Sequence, residues 1–89
     1  MKWKLFADLA EVAGDRVVSV DVADDATVGD ALNALLDARP ALRDRVLDDE
    51  GELRDHVNLL RNGDDAALDD DAAPGDELAL FPPVSGGTR

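Results

Sequence analysis

"TVGDALNALLDARP", residues 27–40, is the stretch on which the fold turns. Val28, Ala31, Leu32, Leu35 and Leu36 recur three and four residues apart, so they share one face of a helix over residues 27–39. Thr27 stands where an N-cap hydroxyl accepts from the first turn, and Asp30 follows three residues on, the spacing of a capping box. Gly29 is a cost in that first turn, and Pro40 ends the run because its ring and missing amide hydrogen cannot continue a helix. A five-residue apolar stripe needs a surface to cover it.

The flanking segments supply that surface. Upstream, "KWKLF" at 2–6 alternates Trp3 and Leu5 with Lys2 and Lys4, the period of a half-buried strand. "ADLAEVAG" at 7–14 places Leu9, Val12 and Ala13 at helical spacing and stops at Gly14, as a short helix or helical turn does. "RVVSVDV" at 16–22 reads as a second strand with Val18, Val20 and Val22 in step. Downstream, "ALRDRVLD" at 41–48 offers Leu42, Val46 and Leu47 for a second short helix. Asn62-Gly63 then divides two apolar runs, a hairpin signal because both central residues of a type I′ turn need positive φ. A turn at "APGD", 73–76, leads to a last strand, "ELALF" at 77–81, which Pro82 and Pro83 stop.

Runs of strands around one main helix predict a two-layer α+β domain. The inward set by parity is Trp3, Leu5, Val18, Val20, Val22, Val57, Leu59, Leu78 and Leu80, facing Val28, Leu32, Leu35 and Leu36. Phe6, Leu60 and Phe81 fall out of phase with it. Either the phase slips at strand ends and they close the core, or they form a patch on the other face, where a partner would bind.

Composition narrows the function. The 89 residues make one domain, and the absence of cysteine removes disulfides, thiolate metal sites and a cysteine nucleophile. The net charge of −12, from 21 acidic against 9 basic residues, repels nucleic acid and anionic membranes and favours partners with a basic face. Seventeen of the acids are aspartate and only Lys2 and Lys4 are lysine, a bias suited to a high-salt cytoplasm. The acidic runs at 48–52 and 64–71 read as solvated surface, since neither has the ligand spacing of a calcium loop. No secretory signal or spanning segment is evident, and the expected location is the cytoplasm. His56 beside Asp55 suggests acid-base work, but neighbours on a strand point to opposite faces and no third partner is evident.

The chain closes on "FPPVSGGTR", 81–89. Two prolines hold the backbone extended after the last strand, and from Pro82 to Gly87 the segment reaches roughly 20 Å at about 3.3 Å per residue. Two glycines pass through a narrow channel and leave a terminal carboxyl open to attack. No phosphate-binding loop is present, so ATP for activating that carboxyl must be held by another protein.

The helix opening "TVGDAL", the Asn-Gly hairpin, "KLFADLAEVAG" and above all "GDELALFPPVSGG" resemble the small archaeal ubiquitin-like modifiers and the MoaD-type small subunit of molybdopterin synthase, of the MoaD/ThiS family, over residues 2–87. The resemblance implies a β-grasp domain over 1–83, a mixed sheet of about five strands on the main helix, with a flexible diglycine tail at 84–89. It implies that Gly87 is adenylated by a ubiquitin-activating-type enzyme with ATP and magnesium, while the chain itself binds no cofactor and is not an enzyme. The acyl group then becomes a thiocarboxylate, giving sulfur to the molybdopterin precursor or to tRNA, or an isopeptide bond to a lysine of a target protein. Gly86 and Ser85 would line the activating channel, and Phe6, Leu60 and Phe81 would meet the activating enzyme and the large synthase subunit.

Thr88 and Arg89 depart from that pattern, since the family's mature form ends on glycine; trimming by a protease, or an engineered end, is the expected explanation. Lys2 and Lys4, outward on the first strand, are candidate acceptors of a modifier, with ordinary edge charge as the plain alternative. The rival from another class is a β-grasp binding module that docks through Phe6, Leu60 and Phe81 and leaves its tail unused. In either case a monomer is expected when free.

Overall fold

The computed structural model describes residues 1–54 and 57–82. Asp55, His56 and the tail residues Ser85, Gly86, Gly87, Thr88 and Arg89 lie outside the described residues, and so does the boundary between domain and tail. In chain order the elements are β1 (Lys2–Leu5), α1 (Asp8–Ala13), β2 (Val17–Ser19), α2 (Val28–Ala38), a 3₁₀ turn (Pro40–Leu42), α3 (Arg43–Val46), β3 (Asn58–Arg61), β4 (Asp64–Asp65) and β5 (Glu77–Phe81). The strands form one mixed sheet in the order β2-β1-β5-β3-β4. Among the described residues only β1 and β5 run parallel, side by side within the sheet. This is the β-grasp arrangement of an α+β domain.

The main helix begins as its sequence dictates. Thr27 Oγ1 accepts from the Asp30 amide at 3.2 Å, and Asp30 Oδ2 accepts from the Thr27 amide at 3.1 Å. The next two orphan donors are met from far along the chain: the Val28 and Gly29 amides donate to the Asp70 and Leu68 carbonyls, both at 2.8 Å. Gly29 is the residue that permits this. A Cβ there would lie 3.1 Å from the Leu68 oxygen, so its apparent cost is the condition for a close approach.

Val28, Ala31, Leu32, Leu35 and Leu36 are all buried, and the stripe meets Trp3, Leu5, Leu78 and Leu80 from the sheet. Each buried leucine contributes roughly 1.5–3 kcal/mol by leaving water. Trp3 sits fully buried, with its indole N–H donating to the Ala31 carbonyl at 3.1 Å, so the largest core side chain carries no unmet polar group. The inward set read by parity is buried except Val22, which is half-buried and packs on the core margin.

Two expected elements are shorter than their patterns. The β2 ladder covers Val17–Ser19, not 16–22, because the Val20 amide already pairs with the carbonyl of Met1 and β1 offers nothing beyond it. The second short helix divides into the 3₁₀ turn and α3, which bury Leu42 and Val46. The Asn62-Gly63 turn forms as expected, with φ of 52° and 89°, and joins β3 to a two-residue β4.

Asp76 clasps this hairpin to the start of β5. Its carboxylate accepts from the Ala73 amide at 2.9 Å and the Asn62 side chain at 3.1 Å, with the Arg61 guanidinium at 3.3 Å. The Ala73 hydrogen bond above all, then Asn62 and Arg61, holds its pKa below the usual 3.8 against the opposing effect of burial. A carboxyl with a depressed folded pKa stabilises the fold above the ordinary carboxylate range, and that stabilisation is lost as pH falls through the folded value. Asp76→Asn should therefore unfold at lower urea than the parent at about pH 7, with the gap narrowing at about pH 3. An equal gap at both pH values would show that the charge is irrelevant.

Candidate functional site: the outer face of the sheet

The helices cover one face of the sheet, and the alternation that sends Trp3, Leu78 and Leu80 inward sends Lys2, Lys4, Ala79 and Phe81 outward. The register assembles them. Leu5 pairs with Leu80 in the parallel ladder, so Phe6 and Phe81 come next, side by side. Their rings stack at 4.1 Å between centroids and 8° between planes. On the other flank of β5, Asn58 pairs with Phe81 and Leu60 with Ala79.

Phe6, Leu60 and Phe81 thus gather on the outer face, and the open choice from parity resolves in favour of a patch. With Ala7, Asn58, Asp65 and Pro82 they line a groove of about 470 Å³. Phe6 remains 38% exposed, an unusual cost for a side chain with a core available to it. Ala7, immediately after it, adopts φ 55° as the chain turns into α1, a conformation an alanine avoids in unstrained loops. Phe81 is the last residue of β5, so the groove opens where the segment toward Gly87 departs.

Asp65 and Asn58 were not singled out from sequence, although the signal was present. A two-residue Asn-Gly turn fixes Arg61 opposite Asp64 and Leu60 opposite Asp65, which puts a carboxylate at the rim of the patch. Val17, 47% exposed on the same face, was equally legible as the residue out of step with Val18 and Val20. Lys2 is exposed, and Lys4 reaches Glu77 on the outer face at 3.2 Å. Among the described residues no group of three or more His, Cys, Asp or Glu side chains is placed to hold a metal, and no helix is long and apolar enough to cross a membrane.

A β-grasp sheet with an apolar patch on its outer face, in a chain whose sequence runs on from there to two glycines, is the arrangement of a ubiquitin-like carrier. The ThiS family model matches residues 3–87, and the chain belongs to that family of ubiquitin-like modifiers and sulfur carriers, which are not catalysts. It is 71% identical over 87 residues to small archaeal modifier protein 1 of Haloferax volcanii, covering 98% of this chain and 100% of the relative. The crystal structure of that protein superposes with a TM-score of 0.95, covering 98% of each chain. A putative molybdopterin converting factor subunit 1 from Pyrococcus furiosus is 27% identical with a TM-score of 0.76, over 93% of this chain and 95% of its own. CysO of Amycolatopsis orientalis, solved in complex with BexX, shares the fold at 22% identity and a TM-score of 0.80, over 97% of this chain and 98% of its own. The aspartate-rich surface accords with the likeness to a Haloferax protein.

Proposed function

We propose that this chain is an acyl carrier whose working group is the Gly87 carboxylate, exposed by removal of Thr88 and Arg89. The observation that carries this reading is the stacked Phe6 and Phe81 pair at the end of β5: a partner seated on the groove has the root of the tail beside it. The end of the family match at Gly87 supports the choice of residue.

The chemistry then runs in two steps. In a partner adenylating enzyme that binds ATP and magnesium, the carboxylate attacks the α-phosphorus, pyrophosphate leaves, and a mixed anhydride with AMP remains. Hydrosulfide displaces AMP and the product loses its proton to leave a thiocarboxylate, or a lysine amine displaces AMP and loses a proton to give an isopeptide bond. Ser85 and Gly86 occupy the enzyme's narrow channel, where side chains larger than theirs would not pass. Phe6, Leu60 and Phe81 bind the activating enzyme and, for sulfur delivery, the large subunit of molybdopterin synthase. Residues 84–89 act as the tail of the 1–83 domain, the reactions take place in the cytoplasm, and Lys2 and Lys4 serve as acceptors when modifiers link to one another.

Intact-mass measurement of the chain purified from its native cells tests this. The expected masses end at Gly87, as carboxylate or as thiocarboxylate. A population ending only at Arg89, with no glycine-linked conjugates, would overturn the carrier reading and leave the docking module.

A further inference from the structure

We propose that Ala7 is a positioning residue for the docking face: its strained backbone holds the Phe6 ring on the outer side of the sheet, beside Phe81. The inference rests on the reading of Phe6, Leu60 and Phe81 as the surface that a partner meets. Ala7 has φ 55° and ψ −131°. The Phe6 carbonyl accepts from the Leu9 amide at 3.2 Å, so Ala7 is the first central residue of a tight turn, with the angles of type II′. Glycine is the usual occupant of that position, because a Cβ there crowds the neighbouring peptide. Among the described residues the other non-glycine with positive φ is Asn62, in a hairpin turn that asks for it.

What compels the strain lies on either side. Leu5 is fixed by its pairing with Leu80 and by its amide, which donates to the Arg16 carbonyl at 2.8 Å. Leu9 is buried, and Arg45 donates to the Asp8 carboxylate at 2.9 Å. The chain must therefore leave the sheet and enter α1 between Leu5 and Leu9. Ordinary angles at Ala7 would lift Leu9 from the core or draw Phe6 off Phe81.

An exposed aromatic ring and a strained alanine thus stand next to each other. Neither belongs to the buried core, and both line the groove shared with Leu60 and Phe81 and another of about 500 Å³ beside α1. Such strain persists where the surroundings impose it, and it gathers at functional sites. Glycine would make the turn without strain, but it also opens routes from Leu5 to Leu9 that a residue bearing a Cβ cannot follow. On those routes Phe6 leaves its stack. Alanine closes them, so the ring is already in place and a partner need not order it.

The test compares chains ending at Gly87 that carry alanine, glycine or D-alanine at position 7. D-alanine at these angles mirrors an L-residue in ordinary extended backbone, so it is both unstrained and restricted. A synthetic segment 1–9 joined to residues 10–87 through a cysteine at position 10, then desulfurised to Ala10, supplies that chain without a scar, since no other cysteine is present. The readouts are the upfield ring-current shift that Phe81 imposes on the Phe6 ring protons, urea unfolding, and KM and kcat for ATP–pyrophosphate exchange by the adenylating enzyme. Ala7→Gly should unfold at no lower urea than the parent, lose much of the ring-current shift, and raise KM about three- to tenfold while kcat holds. D-alanine should unfold at higher urea and keep both the shift and the parent's KM. An unchanged shift and KM in Ala7→Gly would overturn the proposal, and so would D-alanine failing to restore them. Should the parent itself not be adenylated, the carrier reading fails separately, and the ring shifts, which need no enzyme, still decide whether Ala7 places Phe6.

Discussion

Phe6→Asp should lower kcat/KM for adenylation by the partner enzyme by about 30-fold or more, with the chain still folded. Phe6 is stacked on Phe81 yet exposed, so its truncation leaves no cavity in the core, and the folded state loses little beyond the stack, about 0.5–1.5 kcal/mol. An interface centred on those rings loses more. A carboxylate placed in a groove lined by Leu60 and Phe81 must be desolvated without a partner, and anchors of this kind cost about 2–4 kcal/mol at a binding surface. Leu60→Asp should behave alike, because Leu60 faces Ala79 on the same side of the sheet. Asn33→Asp, exposed on α2, adds the same charge elsewhere and should stay within about twofold of the parent, which separates the patch from the chain's overall field. Full activity of folded Phe6→Asp would remove the outer face from the mechanism.

What the sequence disclosed depended on how local its physics was. The capping box, the apolar stripe of α2 and the Asn62-Gly63 turn are governed by residues within four positions of one another, and each formed as read. Gly29 was legible only as a weakness, because the carbonyls it makes room for belong to residues some forty positions later. The length of β2 was set by where its partner strand begins, which valine periodicity does not report. Parity separated Phe6, Leu60 and Phe81 from the core but left two outcomes open. What gathers them is the parallel pairing of the first and last strands, a contact between the two ends of the domain. The proposed chemical end, Ser85-Gly86-Gly87, is read from residue type and position in the sequence alone and lies outside the described residues, and the fold contributes the surface around Phe81 that precedes it.

The second large effect belongs to that end. A chain finishing at Arg89 presents its carboxylate on a residue whose long side chain cannot follow two glycines through a narrow channel, and the Gly87 carbonyl is then tied up in a peptide bond. Adenylation requires a free carboxylate within reach of the α-phosphorus, so the loss is one of reacting group and position together. The patch is untouched by the two extra residues, and the longer chain should still bind the enzyme and compete with the shorter. The direct measurement is ATP–pyrophosphate exchange by the cognate adenylating enzyme, with the chain ending at Gly87 and the chain ending at Arg89 compared at equal concentration. The account predicts exchange with the Gly87 end and background with the Arg89 end; exchange with neither, by an enzyme that activates another member of the family, would contradict it.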